Sequence, residues 1–121
     1  MNMSDVTIIE YETRYAADFE RLNIAWLEKY FYVEPYDAKV LADADRYIID
    51  KDGVILLAKI GNEIVGTVAL MFHGRELELT KMSVDERLQG QGIGKKLMQA
   101  ALQRVQEMQP EKLFLLTSST L

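Results

Sequence analysis

No cysteine occurs among the 121 residues, which excludes disulfide scaffolds, thiolate nucleophiles and zinc ribbons together and is compatible with a reducing cytoplasm, the expected location. Proline is scarce, at two residues, and the seven glycines fall in no collagen-like period. The single histidine, His73, has no companion ligands in sequence, so no metal is expected. Basic residues are the minority. Fourteen Lys and Arg against nineteen Asp and Glu leave a net charge of −5, the wrong sign for a domain that gains affinity by neutralising phosphates, and nucleic acid is not an expected partner. Long apolar runs are missing too. The longest charge-free stretch, residues 64–74, is far short of the ~20 residues a bilayer needs, and the first five residues carry no basic and apolar leader. A soluble, unsecreted protein with no membrane partner is expected.

What is present, 49% hydrophobic and 27% charged residues, describes one globular domain over residues 1–121, large enough for a two-layer core. The acidic excess is confined to residues 1–52, with six basic and twelve acidic groups. Such a half is either a solvated face or the border of a cleft for a cationic substrate.

Apolar periodicity sets the elements. Residues 6–11 read as a strand, and Phe19, Leu22, Trp26 and Tyr30 give the next segment one apolar helical face, with Trp26 read as core. Pro35 interrupts the pattern, and residues 37–45 follow as a second short helix burying Val40 and Leu41. Strands at 54–58 and 64–72 flank the two-residue turn Gly61-Asn62, and Gly74 leads into a third meander strand over 75–84. Strict alternation there puts Leu77 and Leu79 on one face and Glu76, Glu78 and Thr80 on the other. The period then becomes helical over 91–109, with Ile93, Leu97, Ala101, Val105 and Met108 as the stripe and Met98 as further core, and Pro110 ends it. Residues 112–117 are so apolar that they read as a strand buried on both faces, parallel to 76–84. The order β-α-α-β-β-β-α-β describes an α/β domain with a mixed sheet, closed by a parallel βαβ unit.

Between the last meander strand and the long helix lie Gln89, Gly90, Gln91, Gly92, Ile93, Gly94 and Lys95, three glycines at alternate positions entering a helix. Glycine admits unusual dihedrals and close approach to a ligand, and a helix leaves its first amides unpaired at the positive end of its dipole. Such a turn can hold a phosphate, with Lys95 and Lys96 adding charge nearby or lying in solvent; it can also be a tight connection and nothing more. The spacing is G-x-G-x-G. A dinucleotide fingerprint needs G-x-G-x-x-G, and a P-loop needs G-x-x-x-x-G-K-[ST], whereas Lys95 is followed by Lys96.

The run from Gln89 to Gly94 satisfies [Q/R]-x-x-G-x-[G/A], and with the preceding strand Leu79-Thr80-Lys81-Met82-Ser83-Val84 the chain resembles the GNAT superfamily of acyl-CoA-dependent N-acetyltransferases over roughly residues 6–121. The resemblance implies a GNAT-like fold that uses acetyl-CoA as co-substrate. It implies that the backbone of Gln89, Gly90, Gln91, Gly92, Ile93, Gly94 and Lys95 grips the pyrophosphate, and that Met82, Ser83 and Val84 offer main-chain groups to the pantetheine arm. The Val84 or Met82 amide would receive the oxyanion. A protonated amine needs a base before it attacks, and Glu78 stands in the register that the resemblance gives to a carboxylate, with Glu76 and Glu34 as substitutes. Tyr32 and Tyr36 would either wall an acceptor pocket or simply pack beside Pro35.

Members of the superfamily continue past the last strand with a helix bearing a Tyr acid and a final hairpin, so this sequence reads as C-terminally short. A partner copy covering the strand edge, a possible homo-oligomer, is one expectation. The implied function is transfer of an acetyl group to a small-molecule or peptide primary amine by direct attack. The alternatives are a non-catalytic acyl-CoA-binding module and a purely structural interaction domain.

Overall fold

The computed structural model describes residues 5–115. Five strands form one sheet in the order β1-β2-β3-β4-β5: β1 (Val6–Glu10), β2 (Val54–Ile60), β3 (Glu63–His73), β4 (Glu76–Val84) and β5 (Lys112–Leu115). The first four pair antiparallel, and β4 pairs β5 in parallel from Glu76↔Lys112 to Leu79↔Leu115. Two-residue turns make both hairpins, with Gly61 at φ 59° and Gly74 at φ 64°, conformations that favour glycine.

Helices cover both faces. On one side α4 (Ile93–Met108) lays Ile93, Leu97 and Ala101 onto Val65, Leu77 and Leu79, with Val105 and Met108 at the margin, as the stripe predicts. Gly66 makes this close: a Cβ there would lie 2.9 Å from Leu97 Cδ1, 3.2 Å from Ile93 Cγ2 and 3.3 Å from Ala58 Cβ. On the other side α1 (Ala16–Tyr30) buries Phe19 and Leu22 against Ile55, Leu57, Ala69 and Met71, together with Val40 and Leu41 of α2 (Pro35–Ala42). Each Val, Leu, Ile, Phe or Met side chain fully buried here contributes on the order of 1.5–3 kcal/mol.

Three sequence expectations are corrected. The helix expected at 37–45 is two, α2 and the single turn α3 (Ala44–Tyr47), because Asp43 leaves helical geometry at φ −144°, ψ 62° and accepts the Arg46 amide as a cap. Pro35 opens α2 instead of lying outside it, since the first helical position needs no amide donor. The strand β5 is not buried on both faces: Leu113 and Leu115 are 38% and 52% exposed, because among the described residues only β4 pairs with it. The expected residues 116 and 117 of this strand lie outside the described ones.

Alternation in β4 is also interrupted. Thr80 pairs with Ala69 and Ser83 with Thr67, so Lys81 and Met82 together oppose Val68 in a β-bulge, with Lys81 at φ 55°. Without the extra residue Lys81 and Ser83 would fall on the α4 face; with it, Met82 and Val84 return to that apolar face and Ser83 turns toward α1.

Candidate functional site

The bulge and the glycine turn are consecutive along the chain. After Val84, Asp85 donates its amide to Val65 O at 2.8 Å, and its carboxylate accepts the amide and the guanidinium of Arg87, which also pairs with Glu63. These hydrogen bonds from Arg87 hold the Asp85 carboxyl below the usual range and make Arg87 a firmer base than usual. Arg87 therefore serves the turn's framework. Lys96 is similarly committed, donating to Val6 O.

From here the backbone is set by glycine. Gly90 lies at φ 80°, and Gly92, at φ 90°, is the N-cap residue of α4 with no side-chain cap. The first intrahelical bond is Lys96 N–H to Gly92 O at 3.1 Å, so the amides of Ile93, Gly94 and Lys95 lie in the unpaired first turn. Among the described residues no backbone acceptor meets any amide from Gln89 to Lys95. A row of unpaired donors at a positive helix end is chemically an anion cradle.

A cavity of about 380 Å³ sits against this row. Met82, Ser83 and Val84 line it from the strand, and Gln89, Gly90, Gly92, Ile93, Gly94 and Lys95 from the turn. The structure thus brings together all the sequence-expected cradle residues except Gln91, which is exposed and does not line the cavity. Trp26 does line it, and it lines the neighbouring cleft as well. The expectation that Trp26 is core is corrected: along α1 the apolar stripe passes from buried Phe19 and Leu22 to half-buried Trp26, beside the cleft, and exposed Tyr30. Met98, also expected in the core, is half-buried and lines the cleft.

That cleft, about 710 Å³, lies between the end of α1, the α1–α2 loop and β4. Phe31, Tyr32 and Trp26 form apolar walls, and Glu34, Asp37 and Lys81 supply charge. Lys81 Nζ lies 3.4 Å from Asp37 Oδ1 in a largely buried pair that ties the bulge to α2. Tyr36 turns away from the cleft and packs edge-on against Tyr47. Contacts between Lys29 and Glu86 and between Tyr30 Oη and Gln89 Oε1, 3.4 Å apart, join α1 to the turn.

Glu78 is buried, 5% exposed, on the face opposite Leu77 and Leu79. Its Oε1 lies 2.7 Å from Nε2 of His73, the residue that looks solitary in sequence. Glu78 is not among the residues lining the cleft, whereas Glu34 is; Glu76 is exposed. No cluster of three or more His, Cys, Asp or Glu residues that could hold a metal occurs among the described residues. Nor is any helix among them long and apolar enough to cross a membrane.

With this geometry established, residues 17–120 match the family model described as "Acetyltransferase (GNAT) family". The chain belongs to the GNAT acetyltransferase family. No curated protein matches the sequence. Solved structures with the same fold include a GNAT-family acetyltransferase from Staphylococcus aureus Mu50, at TM-score 0.80 and 24% identity over 93% of this chain and 72% of that one. A GNAT-family acetyltransferase from Brucella melitensis, in complex with acetyl-CoA, superimposes at TM-score 0.78 and 21% identity over 93% of this chain and 76% of that one. A predicted acetyltransferase with acetyl-CoA from Clostridium acetobutylicum does so at TM-score 0.77 and 16% identity, over 95% and 82%. At these identities the likeness is one of fold. The five-stranded mixed sheet with β4 and β5 parallel matches the GNAT fold.

Proposed function

We propose that this GNAT-family chain is an acyl-CoA N-acyltransferase that passes an acetyl group from acetyl-CoA to a primary amine by direct attack. The observation that carries the reading is the row of unpaired amides from Gln89 to Lys95, shaped by left-handed Gly90 and Gly92 and open to a cavity. The pyrophosphate of acetyl-CoA fits these donors, and the main chain of Met82, Ser83 and Val84, which lines the same cavity, is suited to the pantetheine arm. Acetyl-CoA supplies a thioester that is already activated; no metal is required. The protein then has three tasks: to position the amine, to remove its proton, and to offer an amide, from Met82 or Val84, to the developing oxyanion.

Glu78 is proposed as the base. Its carboxylate is withheld from bulk water and held by His73; because Glu78 lies outside the cleft lining, the amine's proton is proposed to pass to it through an intervening water. Glu34 is the second reading, favoured by its place in the cleft wall. The acceptor is proposed to be cationic, because Asp37 already balances Lys81 and Glu34 remains the uncompensated charge of the cleft.

The test begins with calorimetric titration of acetyl-CoA, with desulfo-CoA as control, followed by coenzyme A release across a panel of amines. Replacing the true base, Glu78→Gln or Glu34→Gln, lowers the rate by about 10²-fold or more while acetyl-CoA affinity stays at the wild-type value. Binding with no turnover on any amine would favour the non-catalytic module, and no binding by the folded protein would remove the reading altogether.

A further inference from the structure

A chain of buried polar side chains crosses from α1 to the β4 bulge. Asn23, Thr67 and Ser83 are each no more than 3% exposed. Asn23 Nδ2 donates to Phe19 O at 2.9 Å and to Thr67 Oγ1 at 3.1 Å; Thr67 Oγ1 donates to Lys81 O at 2.7 Å and lies 2.9 Å from Ser83 Oγ. Proton inventory fixes every direction. Thr67 has one hydroxyl hydrogen, which the Lys81 carbonyl takes, so Ser83 donates to Thr67, whose two acceptor positions are then filled by Ser83 and Asn23. The Asn23 amide cannot be turned round, since its carbonyl would then face Phe19 O.

Both hydrogens of the Asn23 amide are therefore committed, and Oδ1 has no hydrogen-bond donor among the described residues. Asn23 is nonetheless part of the cleft wall, one helical turn before Trp26, which lines both cleft and turn cavity. In the cleft wall and fixed in orientation by the two committed N–H bonds, this carbonyl is an acceptor open to a donor bound in the cleft. The same network holds Lys81 O and Ser83 on either side of Met82, the strand segment assigned above to the pantetheine arm. We infer that Asn23 is a substrate-binding residue whose Oδ1 accepts a hydrogen bond from a pantetheine amide N–H of acetyl-CoA. Thr67 is its positioning residue, and it keeps the bulge in the same register.

This inference rests on the proposed acyl-CoA reading, and one experiment separates the two. Acetyl-CoA and the pantetheine-free 3′-phosphoadenosine 5′-diphosphate are titrated calorimetrically into wild type, Asn23→Leu, Thr67→Val and Thr67→Ser. Asn23→Leu weakens acetyl-CoA by about five- to tenfold, the value of one hydrogen bond, and leaves the pantetheine-free ligand at wild-type affinity. Thr67→Val follows it, and Thr67→Ser is restored. Equal affinities throughout, or equal losses for both ligands, would overturn the role of Asn23 while leaving the acyl-CoA reading intact; a wild type that binds neither ligand overturns both. Should the variants fail to fold, the Asn23 side-chain carbonyl resonance of wild type gives the answer, since it shifts on saturation with acetyl-CoA and not with the pantetheine-free ligand. A resonance that stays still under both is the refuting result.

Discussion

Gly90→Ala separates what the glycine turn contributes to folding from what it contributes to ligand binding, because the structure provides a matched control in Gly74→Ala. Gly90 and Gly74 have similar positive φ, 80° and 64°, and a Cβ at either would meet nothing within 4 Å. Neither substitution creates a clash, so each carries only the left-handed backbone penalty of an L residue, about 1–2 kcal/mol. For a chain of this size that corresponds to a fall in Tm of roughly 4–8 °C, the same in both variants. Their positions relative to the cavity differ. Gly74 closes the β3–β4 hairpin, whereas Gly90 lines the cavity among amides that have no protein acceptor. Relaxation at Gly90 moves at least one such donor away from a bound phosphate, and a hydrogen bond to a charged group is worth about 1.5–3 kcal/mol. Acetyl-CoA affinity should fall by about tenfold to a hundredfold for Gly90→Ala and not at all for Gly74→Ala. Thermal unfolding followed by calorimetric titration on the same samples measures both quantities. Equal acetyl-CoA affinities for the two variants, at comparable Tm, would refute the assignment of the turn as a phosphate cradle.

Two further predictions concern stability. Gly66→Ala places a Cβ 2.9 Å from the Cδ1 of a fully buried Leu97, so Leu97 must leave its rotamer or α4 must shift; a loss of about 1–3 kcal/mol in urea unfolding is expected, and an unchanged midpoint would contradict the close approach. Tyr11 titrates well above its ordinary value because of burial and its 3.0 Å hydrogen bond to Asp45. Its folded-state pKa is raised, so its contribution is complete below the unfolded value near 10 and is lost as pH rises beyond it. Tyr11→Phe should lose about 1 kcal/mol at neutral pH and show a shallower decline of stability above pH 10; a wild type as insensitive to alkali as the variant would exclude this linkage.

The sequence by itself determined the elements and their order. Period-two and period-3.6 patterns locate five strands, α1 and α4, and Gly61 and Gly74 mark both hairpins, because these signals reside in local backbone preference and one-dimensional spacing. It also located the glycine turn that opens α4, since alternate glycines at a strand-to-helix junction constrain the local backbone whatever surrounds them. Boundaries that depend on a single competing contact were less legible: Asp43 as a cap splits the expected second helix, and the bulge at Lys81 has no glycine to announce it. Only the tertiary structure decided which residues meet. The 5% exposure of Glu78, its pairing with His73 five residues earlier, and the junction of Asn23 with Thr67 across 44 positions all depend on which strands and helices lie against one another. One signal for that junction lay in the sequence, an asparagine between the apolar Leu22 and Ile24, but its partners could not be read there. A buried polar group is satisfied by geometry in three dimensions, and spacing along the chain does not encode where its hydrogen bonds go.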